Sequence, residues 1–300
     1  MNFAPVYLLI CVIIWGWTFV ATRVCLQYLT PVELLGLRFL TGLPLLLVVV
    51  LAKRVSFEFS ARERRAILLG SAILTLHFLI QITGLKYTSA TNTGWIIAVS
   101  PLVMAVLAFL ILRERLGRRA IIGIAVASAG ILLLISRGRF TSFAWLRSFG
   151  DWLVLASAHT WALYTIAIRN VTRSRHPLAV TVAVLFPSAL VVLGYMAASS
   201  DWSQFLRMPP DGIVAILFLG LLGLAVGHWF WQEGVARVGA ARAGIYLYLE
   251  PVATTVLAVP YLGEKFGPLT ALGGLLVLAG VYFAEGRRNF SPSRQKTDKG

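Results

Sequence analysis

The chain reads as a succession of long apolar runs separated by short breaks of charge, proline and glycine. Runs fall at about 4–23, 32–52, 66–85, 91–112 and 119–136, then at about 151–169, 177–198, 212–233, 240–262 and 269–285. Each is close to the ~20 apolar residues needed to cross a hydrocarbon core ~30 Å thick. The pattern predicts an all-α membrane protein with ten transmembrane helices and tight hairpins, two of the shortest around Lys86 and Arg237. Composition agrees: 58% of residues are hydrophobic and 13% are charged, whereas soluble domains carry about 25% charged residues. Little sequence remains for an extramembrane domain.

The net charge of +15 would point to nucleic acid in a soluble protein, but no soluble basic face exists here to carry such a partner. It is better read as topology, because basic residues are retained on the cytoplasmic side. With the N-terminus inside, the inward segments gather Lys53, Arg54, Arg62, Arg64, Arg65, Arg113, Arg115, Arg118, Arg119, Arg169, Arg173, Arg175, Arg237 and Arg242, whereas the outward ones keep few, such as Arg23, Lys86 and Arg207. Both termini are therefore expected in the cytoplasm of a multi-pass protein of the cytoplasmic (inner) cell membrane. The first run outlasts a signal-peptide core and lacks a basic leader, so it is expected to stay as an anchor. Residues 286–300 are polar and basic, the composition of a disordered cytoplasmic tail. Cys11 and Cys25 both fall on the first run, leaving no disulfide framework, and no His-Glu-x-x-His pattern or phosphate-cradling glycine loop occurs. No cofactor or metal is expected.

The chain also repeats itself. At an offset of 150 positions Gly84, Ala90, Gly94, Pro101, Leu112, Glu114, Gly123 and Gly130 fall on Gly234, Ala240, Gly244, Pro251, Leu262, Glu264, Gly273 and Gly280. At an offset of 146 Trp15, Arg23 and Pro31 fall on Trp161, Arg169 and Pro177. Residues 1–138 and 150–285 then form two repeats of five spans each. Five is odd, so the second copy enters the membrane from the opposite side. Inverted repeats of this kind belong to transport, since two similar halves can exchange conformations around a site at the midplane.

The residues that carry this repeat also resemble a known family. Trp15-Gly16-Trp17-Thr18-Phe19, Pro31 and Glu33 to Leu37-Arg38-Phe39, Ser100-Pro101 and Arg113-Glu114-Arg115-Leu116-Gly117 are similar to the first half of an EamA-type domain pair. Leu249-Glu250-Pro251-Val252 and Leu262-Gly263-Glu264-Lys265 are similar to its second half. The resemblance, over nearly the whole chain, is to the ten-helix form of the drug/metabolite transporter superfamily. It implies that the first, third, fourth, sixth, eighth and ninth spans line a central cavity and that the fifth and tenth are peripheral. The richness in aromatic residues is similar to the amino-acid exporters of that superfamily.

Candidate binding residues follow from what a membrane tolerates. Glu250 lies near a midplane beside a helix-breaking proline, Pro251. Its carboxylate is read as a protonatable or amine-binding group, or else as a structural partner of Arg38 or of a helix-end amide. His77 and Gln81, and again His228 and Gln232, stand one turn apart on corresponding spans, so their polar faces point into the bundle. Trp15, Trp17, Trp95, Trp161, Tyr164, Trp231, Tyr246 and Tyr248 lie well inside spans, as wall of an aromatic pocket or as helix packing. Glu114 and Glu264 sit at matched span ends and Pro101 matches Pro251; these four, with Arg38, are expected to pin or gate helices. The function expected is secondary transport by alternating access, exporting small amphipathic metabolites, foremost amino acids. The runner-up is a multidrug or other metabolite carrier, for nucleobases or quaternary amines. A lipid flippase lacks a basic head-group pocket, and an enzyme lacks a facing catalytic set. The expected partners are a small-molecule substrate and the lipid bilayer, with the chain a monomer or weak homo-oligomer.

Overall fold

The structure is a computed structural model that describes residues 3–114, 116–136, 148–263 and 267–285. Everything with regular structure among them is helical: α1 (Ala4–Cys25), α2 (Pro31–Ala52), α3 (Ala61–Lys86), α4 (Ala90–Ile97), α5 (Ser100–Leu112), α6 (Arg118–Ser136) and α7 (Phe149–Ser174), followed by α8 (Pro177–Ser199), α9 (Pro210–Leu217), α10 (Gly227–Val238), α11 (Ala240–Tyr246), α12 (Glu250–Leu262) and α13 (Pro268–Glu285). Among the described residues seven continuous helical stretches are long and apolar enough to cross a membrane: α1, α2, α3, Ala90–Leu112, α8, Pro210–Val238 and Ala240–Leu262. The tail at 286–300 and Glu264 lie outside the described residues.

Where single spans were expected, three stretches are broken. The fourth bends between α4 and α5, because Pro101 has no N–H to give the carbonyl of Ile97. The ninth bends through a 3₁₀ turn at Leu247–Leu249, where Pro251 likewise leaves Leu247 without its helical donor. In both, the proline opens the following helix, where a missing N–H costs nothing. The eighth widens to a π-helix over Phe218–Val226, between α9 and α10. Helix starts are set by local chemistry. Thr30 with Glu33, Ser60 with Glu63 and Ser148 with Asp151 each form a reciprocal capping box, satisfying amides that the helix cannot. These caps carry α3 and α7 beyond the apolar runs that announced them.

The helices pack in recurring pairs. α1 lies against α12 and α10, while α7 lies against α5 and α3. α2 crosses the π-helical stretch and α8 crosses α3; α4 rests on α12 and α11 on α5. α6 and α13 pack on each other. Large apolar side chains such as Leu51, Leu110, Val191, Val256 and Tyr282 face outward, the inverse of a soluble protein's surface and what a lipid-facing surface requires. Lipid gives helices no hydrophobic reason to associate, so close backbone approach has to hold them. Between α6 and α13 a Cβ on Gly123 would stand 2.5 Å from the Gly280 carbonyl oxygen, and one on Gly130 would stand 2.8 Å from that of Gly273.

Two ends of the bundle can be told apart by their contacts. At one, Glu63 takes both Nε and Nη2 of Arg175 at 2.7 and 2.8 Å, and the Arg237 guanidinium lies 4.7 Å from the Tyr7 ring centroid. At the other, Arg23 donates to the carbonyls of Leu85 and Lys86. There the buried carboxylate of Asp151 accepts from Thr88 and Asn92, each at 2.6 Å. Gly123→Leu should drive α6 from α13 and lower the thermal midpoint in detergent by an amount corresponding to about 1–3 kcal/mol or more. Gly274→Leu, where nothing lies within 4 Å of the added Cβ, should leave the midpoint unchanged. Equal midpoints for the two variants would contradict the packing.

Candidate functional site

A small cavity lies in the middle of the bundle, walled by residues from both halves of the chain. Trp15, Thr18 and Phe19 come from α1, Arg38 from α2, and His77, Phe78 and Gln81 from α3. Trp161 comes from α7 and His228 from α10. The two broken spans contribute Ile97 and Ser100 on one side, Leu247 and Glu250 on the other. The proline breaks thus bring four residues to the wall.

Two indoles form its aromatic face. The rings of Trp15 and Trp161 meet edge to face, 4.9 Å apart at 87°. Trp231 stands behind both, at 5.4 and 5.5 Å. The π-helical stretch fixes this arrangement: the Gly223 carbonyl oxygen accepts from Trp15 Nε1 at 3.0 Å and from His228 Nδ1 at 3.2 Å. His228 Nδ1 is also 3.1 Å from the Leu224 carbonyl, and His77 Nδ1 is 3.0 Å from that of Ser157. A carbonyl only accepts, so Nδ1 carries the proton in both rings and Nε2 is the acceptor when the ring is neutral. Gly227 makes room for the Trp15 indole, since a Cβ there would overlap Nε1.

The electrostatics are unusual. Arg38 and Glu250 are each 4% exposed, and neither belongs to an ion pair among the described residues. The Arg38 guanidinium rests 5.1 Å from the Phe78 ring centroid, and its Nε has no hydrogen-bond partner among the described residues. Glu250 forms no ion pair among the described residues, so the alternative in which it pairs with Arg38 is not formed. Ser100 Oγ, Trp161 Nε1 and His228 Nε2 are further buried polar atoms on the wall without a partner among the described residues. Each membrane-buried charge costs about 2.5–3.5 kcal/mol on insertion scales, so two charges without partners are expensive unless something completes them.

Several expected site residues stand elsewhere. Trp17 is half-buried outside the wall. Trp95 and Tyr248 pack toward α6 and α13, with Tyr248 Oη 2.8 Å from Ser128 Oγ. Tyr164 Oη accepts from Gln232 Nε2 at 2.8 Å, and Gln232 Oε1 accepts from Thr172 at 2.8 Å, a chain that ties α7 to α10 behind the wall. Tyr246 is buried in the main core. Pro101 and Pro251 sit at the two breaks. Glu114, past the end of α5, pairs with Arg169 of α7, with Nε at 2.6 Å, and accepts from the Ala241 amide at 3.1 Å. Its carboxylate rests against Gly239, whose φ of +85° and lack of a Cβ permit the contact. Thr18, Phe19, Phe78, Ile97, Ser100 and Leu247 were not expected on the wall. Of these, Ser100 was legible, since it occupies the position that repeats as Glu250.

A helical bundle with an apolar exterior, broken spans and a charged internal cavity defines the class of membrane transport proteins. The chain matches the EamA-like transporter family twice, over residues 2–136 and 148–285, and it belongs to that family, within the drug/metabolite transporter superfamily. It is 27% identical to an uncharacterized transporter of Archaeoglobus fulgidus over 283 residues, covering 94% of this chain and 97% of that one. It is 28% identical over 236 residues to a probable terminal-alkyne amino-acid exporter of Streptantibioticus cattleyicolor, covering 78% and 76%. It is 25% identical over 288 residues to a probable amino-acid metabolite efflux pump of Salmonella typhimurium, covering 91% and 92%. A solved crystal structure, 20% identical, shares the fold with a TM-score of 0.76 over 94% of this chain and 97% of its own.

Gly227→Ala should displace the Trp15 indole, break its bond to Gly223 and cost about 1–3 kcal/mol. A shifted tryptophan emission with a lowered thermal midpoint is the expected result. Gly194→Ala, where nothing lies within 4 Å of the added Cβ, should change neither. Unchanged emission and midpoint in the first variant would contradict the seating of Trp15.

Proposed function

We propose that the protein is a secondary transporter that exports small amphipathic metabolites, foremost amino acids, across the cytoplasmic membrane. It works by alternating access between two inverted five-helix repeats. One observation carries this reading: a cavity at mid-bundle depth is built from both halves and contains buried charges that no described residue neutralises.

Several features support the repeat. The family matches each half separately. Breaks recur at the expected offset, since α5 runs from Ser100 to Leu112 and α12 from Glu250 to Leu262. Exchanging the halves converts α1 on α12 into α7 on α5, and the Gly123–Gly280 approach into that of Gly273 and Gly130. The basic segments gather at the end that holds Glu63, Glu114 and the start of α1, which supports cytoplasmic termini. The relatives named for amino-acid export or efflux support the substrate class. In this reading Glu114, Arg169 and the Ala241 amide clamp the cytoplasmic end, whereas Asp151 with Thr88 and Asn92, and Arg23 with two carbonyls, hold the other. Rocking one half against the other opens one end at a time.

Purified protein in liposomes should give saturable, substrate-specific efflux in a screen of labelled amino acids, nucleobases and quaternary amines. Non-saturable flux, or none, would overturn the carrier reading. Trp161→Ala should weaken apparent affinity about tenfold, equivalent to about 1.4 kcal/mol, whereas Trp152→Ala, on the exposed face of α7, should not. Equal effects would refute the assignment of the cavity as the binding site.

A further inference from the structure

We infer that the central cavity selects a zwitterion, with Arg38 receiving the ligand's carboxylate and Glu250 its ammonium group. This rests on the transporter reading above and names what that site distinguishes.

The argument begins from the charges that the two halves do not share. Under the repeat, Arg38 corresponds to Val184 and Glu250 to Ser100. Val184 is fully buried and Ser100 is 1% exposed, so the same places in the fold are filled without charge in the other half. Filling these places in the fold does not by itself call for a charge, and a packing role leaves the two charges unexplained. Both stand on the wall of one cavity, and neither has an ion-pair partner among the described residues.

The polar groups on the wall include both donors and acceptors. Arg38 Nε and Trp161 Nε1 are N–H groups that can only donate, as a carboxylate requires. The Glu250 carboxylate can only accept when ionised, as an ammonium requires. A monoanion bound here would leave Glu250 buried and uncompensated, and a monocation would leave Arg38 so; truncating one partner of a buried charge pair is costly for the same reason. A ligand with both poles neutralises both, and its apolar remainder meets the indoles of Trp15 and Trp161.

The test compares ligands of one shape and three charges: L-leucine, L-leucinamide and 4-methylpentanoate, with L-phenylalanine, L-phenylalaninamide and 3-phenylpropionate as a second series. Each is titrated at pH 7 against the tryptophan emission of the full-length protein in nanodiscs, then used to compete in proteoliposome counterflow. The wild type should bind the zwitterion of at least one series at least tenfold more tightly than its amide or its acid. Glu250→Gln should abolish the advantage over the acid but keep that over the amide, and Arg38→Gln should do the reverse. The wild-type titration stands by itself should a variant fail to fold. Preference for the amide or the acid, or well-folded variants that keep the full zwitterion preference, would overturn the inference. Saturable flux of a nucleobase or quaternary amine that neither amino-acid series inhibits would overturn it while leaving the transporter reading intact. Absence of saturable flux for every compound screened would overturn the transporter reading itself.

Discussion

The structure depends on one constraint: polar groups in this chain have nowhere to go but inward. A hydrocarbon environment satisfies neither backbone amides nor charged side chains, so each must find a partner inside the bundle or a cavity that completes it. Most do. Capping boxes satisfy the starts of α2, α3 and α7, Asp151 collects Thr88 and Asn92, and Glu114 collects Arg169 and an amide. Arg38 and Glu250 are buried charged groups without an ion-pair partner among the described residues, and they face the same space. The contrast between satisfied polar groups at the ends and unsatisfied ones in the middle separates what holds the bundle from what it holds.

The same constraint explains how the helices are shaped. Without a hydrophobic force between helices, glycine pairs such as Gly123 with Gly280 and Gly42 with Gly220 let backbones touch. Without water, a broken span is tolerated only where it lines a cavity, and both proline breaks do so. The π-helical stretch adds a third irregularity: its Gly223 carbonyl serves Trp15 and His228 together, seating two wall residues through one backbone atom. π-helical turns are often found at functional sites.

Much of this was legible in the sequence. The apolar runs located the helices, the offsets of 150 and 146 paired the breaks and the tryptophans, and the rule that intramembrane charge needs a reason singled out Glu250. Periodicity gives a residue's face but neither its depth nor its neighbours, so Trp95, Tyr164 and Tyr248 were expected on the wall although they pack behind it. Asp151 appeared to be an ordinary span-end residue; its burial arises from α4, far from it in sequence. The π-helical stretch has no proline and leaves only a run of glycines, Gly220, Gly223 and Gly227, which read equally well as helix packing. The separation of Arg38 from Glu250 depends on how the two halves meet, which neither half's sequence encodes alone.

The most direct test of the central claim, that one internal cavity serves both faces of the membrane, is cysteine accessibility at its wall. Cys11 and Cys25 are replaced by serine, Ser100→Cys is introduced, and membrane-impermeant thiol reagents are applied to right-side-out and inside-out vesicles separately. Labelling from each side, slowed by the transported substrate, is the result predicted. Labelling from one side only under every condition, with transport intact, would contradict it.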